Sequence, residues 1–213
     1  YNVTVGDEAG TAITTGDNNV AIGYNALAAN TTGDHNTAIG HNALDGEDTE
    51  THNVAIGADA LGGAVAGGEY NVAVGNYTLD ALTSGDNNVA VGYNAGTALT
   101  TGYNNTFIGR DAGLANTTGG TNTFIGFDAG KTSTTGFRNI AIGNGAYDGG
   151  ATSEGDNTAI GYYALGGAVN GAEFNTVVGS YAGDAITTGD NNNIFGYQAG
   201  GAITEGNNNV LIG

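Results

Sequence analysis

The side chains best equipped for chemistry are few, and they recur at fixed intervals. His35 and His52 stand 17 residues apart with Asp34 before the first of them. Such a pair serves a metal ion or a proton relay when a third ligand or a nucleophile joins it. The chain has no cysteine, and Ser84, Ser133, Ser153 and Ser180 fall in other repeats, so the sequence reads the pair as part of a solvated loop. Carboxylates are abundant: Asp45, Glu47, Asp48 and Glu50 crowd one stretch, and Asp17 and Asp34 share the 17-residue interval. Hard oxygen ligands at this density suit Ca²⁺, so these six residues are the candidate calcium ligands. Their spacing matches neither the EF-hand loop nor the glycine-rich calcium nonapeptide, and no other cofactor is required. Tyr24, Tyr93, Tyr162 and Tyr197 each follow a glycine and are candidate glycan-stacking positions. Thr14, Thr31, Thr83, Thr100, Thr117, Thr134, Thr187 and Thr204 form a further column, and a flat threonine ladder raises ordered water and ice binding as a minor reading.

These residues are positioned by a repeat. The phrase Asn-x-x-(Ile/Val)-Gly, as in Asn19-Val20-Ala21-Ile22-Gly23, recurs 13 times with its closing glycine 17 or 18 residues after the last, from Gly6 to Gly213. A fixed period with single-residue insertions marks a repeat array rather than a globular core, and residues 1–213 read as one such domain. An enzyme would need one repeat to depart from the array and gather an acid, a base or a nucleophile. No insertion exceeds one residue, so the sequence points to a protein that is not an enzyme.

Composition narrows the partners. With 21 acidic residues against Arg110, Lys131 and Arg138, the net charge is −18. Phosphate binding needs clustered cations, so nucleic acid is not expected, and an anionic membrane surface is disfavoured for the same reason. No apolar run approaches the roughly 20 residues of a membrane span. Glycine is 41 of 213 residues and proline is absent, which fits neither a collagen triplet nor a proline-rich linker.

A repeat of 17 residues is too short for two helices and has no helical apolar stripe, so each repeat is expected to form one rung of an all-β parallel β-solenoid. Numbered from the closing glycine, the third residue before it is β-branched in 12 of 13 rungs, and the residue just before it is Ile or Val except at Phe195. Two apolar columns two residues apart share one strand face, and the sequence reads that face as the core. The opening asparagines Asn2, Asn19, Asn36, Asn53, Asn71, Asn88, Asn105, Asn122, Asn139, Asn157, Asn175, Asn192 and Asn209 are expected to form a corner ladder of amide hydrogen bonds. Stretches such as Leu99-Thr100-Thr101-Gly102 are expected to add a short second strand.

The remaining strand column contains Ala21, Ala38, Ala55, Ala90, Phe107, Phe124, Val177, Ile194 and Leu211, and it never carries a charge. Strand alternation sets it on the opposite face from the two β-branched columns, so the sequence assigns it to contact with another copy of the chain. Neither end of the sequence departs from the repeat, which gives the expectation of an array without separate caps, either closed as an oligomer or stacked end to end.

The phrases Asn19 to Gly23 and Asn53 to Gly57 resemble the repeat of trimeric autotransporter adhesin heads. The stretch Gly102 to Gly109 is similar to the arrays of phage tail fibres and related bacterial surface fibres. The resemblance covers essentially the whole chain and implies a left-handed parallel β-roll (β-solenoid) in each of three chains, exposed on a cell surface or a virion. The phrase Ile22-Gly23-Tyr24-Asn25-Ala26 also resembles the left-handed helix of hexapeptide acyltransferases, but only one third of each rung complies. The expected function is therefore a structural segment of an extracellular fibre or filament with an adhesive role. A tail fibre with a glycan receptor is the alternative, and an ice-binding or calcium-dependent module ranks below both.

Overall fold

Three residues of every repeat form a β-strand, and the strands stack in chain order. The computed structural model describes residues 1–46, 49–63, 68–150 and 153–213. Thirteen strands, from β1 (Val3–Val5) and β2 (Val20–Ile22) to β13 (Val210–Ile212), make a single parallel sheet in which each pairs only with its sequence neighbours. Register follows the repeat: Val20 lies opposite Thr37 and Ala21 opposite Ala38, while at an 18-residue step Val54 meets Val72. The protein is a parallel β-solenoid with one rung per repeat. At ~4.8 Å between neighbouring strands, its twelve steps extend ~58 Å.

Among the described residues the rung has no second strand. The threonine side is nevertheless tied from rung to rung: Thr100 N–H donates to Thr117 O at 2.7 Å, and Thr100 Oγ1 donates to the same oxygen at 3.0 Å. Backbone groups outside the strands thus find partners in the neighbouring rung. The closing glycine marks the closest approach of successive rungs. Gly23 has φ 133°, and a β-carbon there would lie 2.4 Å from Gly40 O. No other residue fits that corner.

The strand faces are the reverse of the sequence expectation. Ala21, Ala38, Ala55, Ala90, Phe107, Phe124, Val177 and Ile194 are 0% exposed inside the chain's own core, and Leu211 packs against that core from the last rung. Buried side chains cannot meet another copy, so this column is not the chain-to-chain contact. The β-branched columns face outward instead: Ile22, Ile108 and Ile142 are each 37% exposed. Strand alternation has two phases, and assigning the larger aliphatic side chains to the interior selected the wrong one.

The reason lies in what else must fit inside the rung. Four residues past the closing glycine, Leu27, Leu44, Leu61, Leu79 and Leu165 point inward and are buried, all with φ between 49° and 54°. A left-handed backbone costs a non-glycine residue roughly 1–2 kcal/mol, which burial of a leucine side chain, about 1.5–3 kcal/mol, offsets. Rungs with leucine at this place have alanine on the strand, as in Ala21 with Leu27 and Ala38 with Leu44. Rungs with Phe107 or Phe124 on the strand have Gly113 or Gly130 there instead. The interior volume is shared between two columns, and a β-branched pair on the inner face would overfill it.

Asparagine fills the corner beside this core. Asn19, Asn36 and Asn53 are at most 1% exposed. Asn36 N–H donates to Asn19 Oδ1 at 2.8 Å, while Asn19 Nδ2 donates to Gly33 O at 2.8 Å. The same pair of bonds recurs up to Asn209 N–H on Asn192 Oδ1 at 3.0 Å and Asn192 Nδ2 on Gly206 O at 2.8 Å. Each amide therefore satisfies one donor and one acceptor of the following rung in a site closed to water.

Candidate interaction surfaces

Because every rung is in register, each outward position becomes a column with a ~4.8 Å repeat. The sheet face is the most extensive of these surfaces. Its two columns run through all 13 rungs with Val, Ile, Thr, Asn193 and Phe195 and no charged residue. Val89 is 36% exposed, Ile140 39% and Phe195 39%. The sequence already showed these columns to be uncharged but did not show that they face outward. The signal that reveals it is the pairing of strand Phe with downstream Gly and of strand Ala with downstream Leu.

The column after the closing glycine projects Tyr24, Tyr93, Tyr162 and Tyr197 into solvent, and Phe127 joins them with 41% exposure. Tyr162 meets Tyr163 and Tyr181 nearly at right angles, with ring centroids 4.7 and 5.2 Å away, and those two rings lie parallel at 6.0 Å. A hydrogen bond that the Tyr181 phenol makes to Tyr162 in its protonated form, then burial, raises it above its ordinary pKa. Tyr93 likewise stands at 88° to Tyr77. Arg110 lies 5.3 Å over the Phe127 ring and donates to Asp111 at 3.0 Å. Tyr24 stacks on His41 at 5.4 Å.

The two histidines lie on another column. His35 and His52 stack with centroids 4.9 Å apart, and Tyr70 continues the stack at 5.0 Å. All three residues have φ near 60°, so the backbone of this corner turns their side chains outward into an aromatic ladder.

The described carboxylates among the six calcium candidates fall into three columns, Asp17 and Asp34 in one and Asp45 and Glu50 in two others, while Glu47 and Asp48 lie outside the described residues. Asp34 Oδ1 accepts from Asp17 N–H at 2.6 Å, as Asp86 Oδ1 does from Glu69 N–H at 2.9 Å. Those aspartates cap backbone donors of the preceding rung. Glu50 turns inward, 6% exposed, with Oε2 accepting from Thr49 N–H at 2.8 Å. Asp45 accepts from Asn25 Nδ2 at 3.0 Å, and Asp59 from Asn42 Nδ2 at 3.0 Å. Burial first, and the charge of Asp59 after it, raises the Asp45 and Asp80 carboxyls above the ordinary range. Among the described residues no group of three or more His, Asp or Glu side chains is arranged to hold a metal ion.

The threonine column uses its hydroxyls internally: Thr14, Thr83 and Thr187 Oγ1 donate to the carbonyls of Thr31, Thr100 and Thr204 at 2.9, 2.9 and 3.1 Å. Those hydroxyl protons are not presented to ordered water.

No protein-family model, curated protein or solved structure matches the chain. The surfaces themselves therefore carry the functional reading.

Proposed function

We propose that the protein is a structural, non-catalytic segment of an extracellular fibre, in which copies of the chain associate through the outward β-branched face of the sheet. The observation that supports this is the uncharged strip formed by the two columns flanking the buried Ala and Phe column. It is ~58 Å long and, over three strand residues, ~10 Å wide, or roughly 600 Å² in projection. That is at the upper end of the 300–600 Å² or so of the largest apolar patch on a typical monomer. With side-chain relief counted, it approaches the ~800 Å² per partner of a stable interface. A second copy is the fitting occupant because its own strip has the same ~4.8 Å corrugation. It also suits the charge: two chains of −18 that met on other faces would bring carboxylates together.

Three chains is the number implied by the resemblance to adhesin heads and tail fibres, and a surface-exposed, adhesive assembly is the setting it implies. Sedimentation equilibrium tests the reading. The expected mass is about three times the 21.0 kDa chain, and an Ile108→Asp/Ile142→Asp variant sediments as a folded single chain. A parent protein that stays monomeric at high concentration removes the proposal.

A further inference from the structure

A different column presents a row of exposed aromatic rings. From the rung closed by Gly92 to the rung closed by Gly196, the residue after the glycine is aromatic in every second rung: Tyr93, Phe127, Tyr162 and Tyr197. Their exposures are 47%, 41%, 46% and 66%. The rungs between them place Arg110, Asn144 and Ser180 in the same column. In-register strands at ~4.8 Å set alternate rings ~9.6 Å apart, so four rings span ~29 Å along the rod.

We propose that this strip binds a neutral, extended β-1,4-linked polysaccharide. In such a chain each sugar is turned over relative to the last, so the same apolar C–H face recurs at every second ring, close to the two-rung step. An α-1,4-linked chain coils and offers no such linear repeat. Aromatic side chains provide the apolar area for sugar faces, most freely at Tyr93, Tyr162 and Tyr197, since Arg110 already lies over the Phe127 ring and donates to Asp111. Asn144 and Ser180 can exchange hydrogen bonds with the equatorial hydroxyls between the rings. Two of the rings are buttressed before any ligand arrives: Tyr162 by Tyr163 and Tyr181, and Tyr93 by Tyr77. Rings held in place lose less rotamer freedom on binding. Asp111 and Asp128 flank the strip in the adjoining column, and the net charge is −18. A uronate or sulfated polymer is repelled by that field, which leaves the neutral chains. The proposal does not rest on self-association, which uses the sheet face.

The test is depletion of the full chain from solution by microcrystalline cellulose and by chitin, with granular starch as the coiled control, followed by titration calorimetry with cellohexaose and chitohexaose. Binding to cellulose or chitin but not to starch is expected. Tyr162→Ala and Tyr197→Ala should each weaken it by about tenfold, whereas Tyr197→Phe, which keeps the ring, and Tyr70→Ala, outside the strip, retain the parental affinity. Thermal midpoints and sedimentation of each variant separate loss of the strip from loss of fold or assembly. No depletion by either β-linked polymer, equal binding to starch, or an equal loss in Tyr70→Ala overturns the proposal.

Discussion

The ring of Phe124 occupies the space in which Gly130 would place a side chain: a β-carbon on Gly130 would lie 2.4 Å from Phe124 Cδ2. The two positions share one volume in the rung interior. Phe124→Ala should cost about 3–5 kcal/mol through the cavity it leaves, and Gly130→Leu alone should also destabilise through overpacking. The double variant recreates the Ala and Leu pairing of Ala21 with Leu27 and is expected to recover at least half of the loss. Urea denaturation of the three variants, compared at equal slope, measures the coupling.

Asn122 illustrates the corner ladder at mid-rod. It is 0% exposed, its Oδ1 accepts from Asn139 N–H at 2.9 Å, and its Nδ2 donates to Gly136 O at 2.8 Å. Asn122→Ala leaves a buried donor and a buried acceptor unpaired, at about 1–3 kcal/mol each. A thermal midpoint within a degree of the parent's would contradict the ladder's role.

Acidification should stabilise the rod before it unfolds it. The raised carboxyls of Asp45 and Asp80 mean that the folded chain binds more protons than the unfolded chain just above the ordinary Asp value of about 3.9. By linkage, stability then falls as pH rises through that window and returns as pH is lowered. Asp59→Asn keeps an acceptor for Asn42 Nδ2 and a residue tolerant of φ 54°. It should raise the melting temperature at pH 7 and flatten the trend between pH 7 and 4.5, as read by differential scanning fluorimetry.

Arg138 and Asp156 make the opposite case. Two bonds of 2.7 Å link the guanidinium to the carboxylate across one rung step, and that partner holds the Asp156 carboxyl below its usual range. Its contribution is present above the ordinary Asp pKa and is lost as pH falls through the lowered folded value. The pair is solvent-exposed, so Arg138→Gln should lower stability only slightly and the difference should vanish in 1 M salt. Denaturation at two salt concentrations reads it directly.

The period, the parallel stacking and the asparagine corner were legible because each follows from counting identical residues at identical intervals. Inside and outside were harder, since Val20-Ala21-Ile22 offers two phases and hydropathy favours the larger side chains for the core. What decides the phase is a pair of residues six apart, Ala21 with Leu27 or Phe124 with Gly130, whose volumes trade against each other. That trade was present in the sequence across several rungs. The carboxylates illustrate the other limit: Asp17 and Asp34 share a column while Asp45 and Glu50 do not, and only the path of the turn separates backbone caps from an inward-facing glutamate. Phe127 belongs to the tyrosine column by its place after Gly126 and not by its residue type.

One strand per 17-residue rung makes this chain an inefficient way to cover distance. At ~4.8 Å per rung the advance is about 0.3 Å per residue, whereas an α-helix of 213 residues would reach about 320 Å at 1.5 Å per residue. The residues are invested in copy number: any side chain placed once in the repeat is presented again a few ångströms along, on a lattice fixed by backbone hydrogen bonds. A contact too weak to hold a partner singly becomes effective when several engage at once, because each further engagement is intramolecular.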